Sequence, residues 1–250
     1  MTTVTPQTFI AIFLIFCRIG GCLLIMPGFS SARVPPQVRL FIALSVTFAL
    51  SPLLLDKFQG HLPGNDAALF LWIASETLTG LTIGLLGRIF FMALQTLLTA
   101  IAMSIGFGSI PGTPIDETDP MPALGSLIMM VATALLFISD LQWELFRGLV
   151  ASYSRLPPGQ GFGAQTALVQ ITDQITDAFL LSLRISSPFI IYSVIVNLAV
   201  GITNKLTPQI PVYFLATPFV LLGGLLMLYF LFTEFMSLFM AGFIQWLSHG

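Results

Sequence analysis

FIAIFLIFCRIGGCLLIM, residues 9–26, is the stretch that decides the fold. It carries one charge, Arg18, and is otherwise apolar or small until Pro27-Gly28 ends it. A helix needs about 20 mostly apolar residues to cross a bilayer. A strand of an outer-membrane barrel would instead alternate apolar with polar residues over about ten positions. This run is apolar on every face. In hydrocarbon, a helix satisfies all its own backbone hydrogen bonds, so helix is the reading. The same pattern recurs outward along the chain at 38–55, 67–105, 124–138, 178–202 and 212–247. The fold class is therefore an all-α polytopic membrane protein. Two of these runs exceed one span, and Gly80, Gly84, Gly87 and Arg88 suggest a break within the third. Six or seven crossings or re-entrant segments are expected, with Pro188 kinking the 178–202 run. A polar stretch containing Pro157-Pro158-Gly159 fills 140–177.

Composition agrees. Apolar residues make up 56% of the 250 and charged residues 8%, against roughly 25% charged in soluble domains. So few charges could not cover a water-facing surface. A net charge of -2 gives no basic stripe for nucleic acid, so no nucleic-acid partner is expected. Cys17 and Cys22 lie five apart, on different faces of one helix, and do not suit a disulfide. His61 and His249 are far apart, and no His/Cys cluster has metal-ligand spacing. No nucleophile has a base beside it, and no nucleotide-binding or metalloprotease motif occurs. No catalytic residue, cofactor or metal site is expected. The first residues carry no Lys or Arg, so the run at 9–26 reads as a retained span rather than a signal peptide. Loop charges are too sparse and even for the positive-inside rule to orient the chain.

Four ionisable residues lie inside apolar runs: Arg18, Glu76, Arg184 and Glu234. A charge at the centre of a membrane helix costs about 2.5–3.5 kcal/mol on insertion scales. Such residues line a conduction path or pair across subunits; alternatively they form buried pairs or snorkel from helix ends. Gly80 and Gly84, extended by Gly87, form a GxxxG stretch that lets helix backbones approach, within the chain or between chains. The most unusual segment, 106–122, reads GFGSIPGTPIDETDPMP. Its glycines Gly106, Gly108 and Gly112 and its prolines Pro111, Pro114, Pro120 and Pro122 forbid continuous helix. It also gathers Asp116, Glu117 and Asp119. Irregular backbone at a membrane is buried in protein or lines a wet cavity. The segment is therefore either a mobile loop closing a pore or an exposed connection. Three prolines, Pro208, Pro211 and Pro218, punctuate the entry to the last run.

In order and spacing the chain resembles the FliR family of flagellar biosynthetic proteins, which includes the matching subunits of virulence type III secretion systems. The residues that carry this are Arg18, Pro27-Gly28-Phe29, Val34-Pro35 and Arg39, then Glu76 with Gly80 and Gly84. Gln95, Gly106-Phe107 and Asp119-Pro120 follow, then Ser152-Tyr153, Pro157 and Gly159. The last group is Asn197, Gly201, Pro208-Gln209, Val212, Pro218 and Gly223. The chain departs from the family pattern at Pro211, Leu141-Gln142 and 100–104. The resemblance implies one export-gate domain over 1–250, built of helical hairpins like a fusion of FliP and FliQ. It implies assembly with FliP-like and FliQ-like subunits, joined by a FlhB-like subunit, in the bacterial inner membrane at the flagellar basal body. By position it implies that 106–122, including Phe107, is a plug, past which unfolded export substrates travel when it opens. A virulence-type subunit and, in a different class, a secondary transporter are the competing readings; the transporter would need an internal repeat, and none is evident.

Overall fold

Proline placement sets where the first helices begin. Proline suits the first helical turn, whose N–H groups have no intrahelical partner. Accordingly α1 (Pro6–Ile25) starts on Pro6, and α2 (Pro36–Leu54) starts on Pro36 after Pro35 and runs into a short 3-10 turn, Leu55–Phe58. Then come α3 (Asp66–Ser104), α4 (Ala123–Ile138), α5 (Leu141–Arg155), α6 (Ala164–Leu206) and α7 (Val212–His249). The computed structural model describes residues 6–31, 34–58, 64–108 and 122–249, with no β-strand among them. The segment 109–121, holding Pro111, Gly112, Pro114, Asp116, Glu117, Asp119 and Pro120, lies outside the described residues, as does His61.

Prolines within helices are accommodated by their neighbours. Pro52 and Pro188 each lack the N–H that would bond the carbonyl four residues back. In both cases the preceding serine supplies the donor: Ser51 Oγ bonds the Phe48 carbonyl at 3.0 Å, and Ser187 Oγ bonds the Arg184 carbonyl at 2.9 Å. The sequence Ser-Pro thus lets α2 and α6 continue through a residue that would otherwise break them.

Among the described residues, five helices are long and apolar enough to cross a membrane, or six if α4 and α5, bent by 70° at residues 139–140, count as one broken span. The upper count meets the lower end of the expected six or seven crossings or re-entrant segments. A seventh would have needed α3 or α7 to break, whereas each is one continuous helix, of 39 and 38 residues. α3 does not break at Gly80–Arg88, because its glycines serve a close helix contact rather than a turn. The stretch 140–177 is also more regular than its polarity suggested. Leu141, Leu145, Leu149, Ser152 and Tyr153 recur at helical spacing and form the buried stripe of the amphipathic α5. The α4–α5 corner is made by Asp140, held at φ 57°, a left-handed conformation that Asp adopts more readily than most side chains.

The chain divides into two compact units, neither contiguous in sequence. The first comprises Met1–Phe90, Phe137–Ile175 and Leu247–Gly250; the second comprises Phe91–Leu136 and Thr176–Trp246. The core of the first includes Leu14, Ile15, Ile19, Leu54, Phe58, Leu149 and Tyr153. In the second, Phe91 meets Phe239 and Phe243 edge to face, with centroids at 5.5 and 5.8 Å.

Candidate functional site

Charge inside the first unit is concentrated at one point. Arg18, mid-way along α1, is 2% exposed, and so is Glu76 of α3. The arginine Nε donates to Glu76 Oε2 at 2.6 Å and Nη2 to Oε1 at 3.0 Å, a bidentate pair. Nη1 donates to Ser152 Oγ at 3.2 Å, and Nη2 also reaches the Leu156 carbonyl at 3.1 Å. The Ser152 hydroxyl in turn donates to the Leu149 carbonyl at 2.6 Å. The guanidinium lies 3.9 Å from the centre of the Tyr153 ring, a cation–π contact strengthened by the burial of both side chains. Leu156 caps the C-terminus of α5, so Arg18 also puts positive charge where the helix dipole is negative. One side chain therefore ties α1, α3 and α5 together. The Tyr153 hydroxyl is buried and has no hydrogen-bond partner among the described residues.

The backbone makes room for this pair. A Cβ added to Gly80 would collide with the Arg18 carbonyl, and one on Gly84 with the Cys22 carbonyl. The fit is reciprocal, since a Cβ on Gly21 of α1 would lie 2.8 Å from the Thr77 carbonyl. Small residues on both helices bring their axes close, as in other membrane helix pairs. Gly80 and Gly84 thus lie at a contact within the chain, and Gly87 is buried one turn further on. Beyond α5, Gly159 has φ +88°, and a Cβ there would meet the Trp72 ring of α3. The loop can lie against that ring only because this residue is glycine.

The other two charges are placed differently. Arg184 on α6 and Glu234 on α7 are both exposed, with no ion-pair partner among the described residues. Arg184 lies 22 residues before the end of α6, and Glu234 22 residues after the start of α7.

At the entrance to the irregular segment, α3 ends in a Schellman turn. Phe107 N–H bonds the Ala102 carbonyl at 2.7 Å and Gly106 N–H the Met103 carbonyl at 3.2 Å, with Gly106 at φ +84°. Phe107 and Gly108 are both at least partly open to the surface, and a Cβ on Gly108 would lie 3.2 Å from the Met103 Cα of α3. The glycines here thus end α3 at a defined point.

Ser152, Tyr153 and the Leu156 carbonyl were not anticipated as partners of Arg18. Their separation of more than 130 residues from it left no local signal. No group of three or more His, Cys, Asp or Glu side chains among the described residues could hold a metal ion. The cluster's acid, base and Ser152 hydroxyl are bonded to one another behind protein, across α1, α3 and α5.

Fold and cluster together define a polytopic helical membrane protein whose buried charges hold its helices in register. A profile of the bacterial export proteins, family 1, matches residues 9–245, and the chain belongs to that family. Among its relatives is the flagellar biosynthetic protein FliR of Caulobacter vibrioides, 27% identical over 86% of this chain and 85% of that protein. The FliR of Escherichia coli is 28% identical over 80% of this chain and 75% of its own length. The secretion system apparatus protein SsaT of Salmonella typhimurium is 26% identical over 84% and 82% respectively.

Proposed function

We propose that this chain is the FliR subunit of a flagellar type III export gate. The observation that carries this is the match of an export-protein family along 9–245 of an all-helical chain, with FliR proteins among the relatives. The chain sits in the bacterial inner membrane at the flagellar basal body and assembles with FliP-like and FliQ-like subunits, joined by a FlhB-like subunit. It contributes part of the wall of a pore through which unfolded flagellar proteins pass. Its role is passive: the sequence holds no nucleotide-binding motif, so energy enters through other components. The SsaT relative supports a virulence-type secretion role as the second reading. Tagging the chain, solubilising membranes gently and identifying co-purifying proteins tests the assembly. A large complex containing FliP-like and FliQ-like chains is expected. A lone monomer, from cells that express those partners, would count decisively against it.

Within this reading, 106–122 is the obstruction that closes the resting pore. Its four prolines and three glycines are poor helix formers, and its three acids would be costly in hydrocarbon. Deleting Ile110–Asp119 should leave assembly intact and make the membrane leak ions, read as conductance of the reconstituted complex. Unchanged conductance from a normally assembled complex would remove the plug role.

A further inference from the structure

The open surface of α6 changes its chemistry part-way along the helix. Before Arg184 that surface is mixed: Gln170, Asp173, Thr176 and Asp177 share it with Phe179 and Leu180. After Arg184 it is chiefly apolar, with Ile191, Ile195, Leu198 and Ile202 all exposed. α7 makes the same change in reverse. Its first part exposes Phe214, Phe219, Leu222, Leu226 and Phe230. Past Glu234 the large side chains Phe235, Met236, Phe239 and Phe243 are buried, while Ser237, Ala241 and Gln245 are exposed. Charge divides the hairpin in the same way. No Asp, Glu, Lys or Arg lies between Arg184 and Lys205, or between Lys205 and Glu234.

Length and breadth of the apolar part both point to its surroundings. On each helix 22 residues separate the charge from the end nearest the turn, about 33 Å at 1.5 Å per residue. The hydrocarbon of a bilayer is about 30 Å thick. The exposed apolar side chains cover an arc of about 140° on α6, from Ile190 to Ile195, and about 160° on α7, from Phe214 to Phe230. Both arcs exceed the stripe of about 100° with which a helix faces a protein core. Polar donors within this part turn back on their own helix. Asn197 Nδ2 donates to the Ser193 carbonyl at 2.9 Å, and Thr203 Oγ1 and Thr217 Oγ1 to the Ala199 and Tyr213 carbonyls at 2.8 Å. A surface in hydrocarbon requires this, because no water is there to bond them.

We infer that the distal part of the α6–α7 hairpin, 185–206 with 212–233, is embedded in phospholipid. Arg184 and Glu234 stand at one headgroup plane and Lys205 at the other. The Arg184 guanidinium meets lipid phosphate there and the Glu234 carboxylate meets water, which accounts for two charges with no ion-pair partner among the described residues. α6 before Arg184 and α7 after Glu234 lie outside the hydrocarbon. The same scale gives the depth of the end of α3. Ile105 packs where Gly224 has no side chain, and Gly106 lies beside Leu221. These α7 residues are mid-way between Val212 and Glu234, so α3 ends about half-way across the hydrocarbon. Its last carbonyls are met there by its own Schellman turn. The inference goes beyond the export-gate reading and does not depend on which proteins the chain joins.

Nitroxide labels on single introduced cysteines test it, in the full chain carrying Cys17→Ala and Cys22→Ala, reconstituted into phosphatidylcholine–phosphatidylglycerol vesicles. Collisions with oxygen report hydrocarbon, and collisions with a water-soluble nickel chelate report water. The oxygen excess should be greatest at Ile195→Cys and Leu222→Cys. It should be lost at Asp173→Cys, Asp177→Cys and Ala241→Cys, where the nickel chelate should collide instead. An oxygen maximum within 164–184, or nickel collisions at positions 195 and 222, would overturn the inference. So would shielding of positions 195 and 222 from both reagents, the mark of a protein neighbour. Should alanine at 17 or 22 disturb folding, benzoylphenylalanine in the otherwise unaltered chain gives a second reading. Lipid adducts from positions 195 and 222, and none from 177 and 241, are expected; the reverse pattern sinks the proposal. Either result leaves the co-purification test of the export gate untouched, so the two readings fail separately.

Discussion

Arg18→Met is expected to destabilise the folded chain by about 3–5 kcal/mol, the range found when one member of a buried ion pair is removed. Methionine fills much of the arginine's volume, so the loss is not chiefly a cavity. It arises because Glu76, 2% exposed, keeps a carboxylate in a dry site with no cation beside it. Ser152 Oγ and the Leu156 carbonyl lose a donor in the same step. Glu76→Leu leaves the guanidinium uncompensated and should cost a similar amount. The double substitution Arg18→Met/Glu76→Leu should cost far less than either alone, because an apolar pair carries no charge to desolvate. It still leaves the Leu156 carbonyl at the C-terminus of α5 without its arginine, so recovery should be incomplete. Denaturant titration in mild detergent, followed by tryptophan fluorescence, gives the three midpoints. If the double variant is as unstable as the sum of the singles, the charges do not act as a pair.

The sequence made the class of fold and the special residues visible, but not their partners. Arg18 and Glu76 stood out because each interrupts an apolar run, where a charge is costly. That they meet each other, while Arg184 and Glu234 stay apart and exposed, depends on how helices pack. No spacing along one helix encodes that. Gly80 and Gly84 were legible as a close-packing stretch, yet the same letters also suggested a break in α3. Glycine permits both a turn and a near contact, and only the position of the α1 backbone against Gly80 distinguishes them. α5 was hidden for a different reason. Its fifteen residues are half polar, so a search for apolar runs passes over them, though a search for helical spacing finds Leu141, Leu145 and Leu149. The Arg18 cluster was half legible. Ser152-Tyr153 could be noticed as a pair, but nothing local connects it to a residue on α1.

Gly80→Leu should be the other large effect, and it should depend on the first. The new Cβ would fall on the Arg18 main-chain carbonyl, an obstacle that no rotamer change can clear. α1 and α3 must separate, and overpacking of this kind costs about 1–3 kcal/mol, sometimes more. Here the displacement also draws Arg18 away from Glu76, whose 2.6 Å contact is set by the same approach of the two helices. The total should therefore reach the upper end of that range or pass it. Gly148→Ala, at a position in α5 with nothing within 4 Å of the added Cβ, should by contrast be neutral or stabilising by about 0.5–1 kcal/mol, as expected where alanine replaces glycine within a helix. The dependence appears in a double-mutant cycle. Measured in the Arg18→Met/Glu76→Leu background, Gly80→Leu retains its steric cost but has no ion pair left to pull apart, so it should be less destabilising than in the wild type. Equal costs in the two backgrounds would mean that the glycine contact and the ion pair stabilise the α1–α3 interface independently.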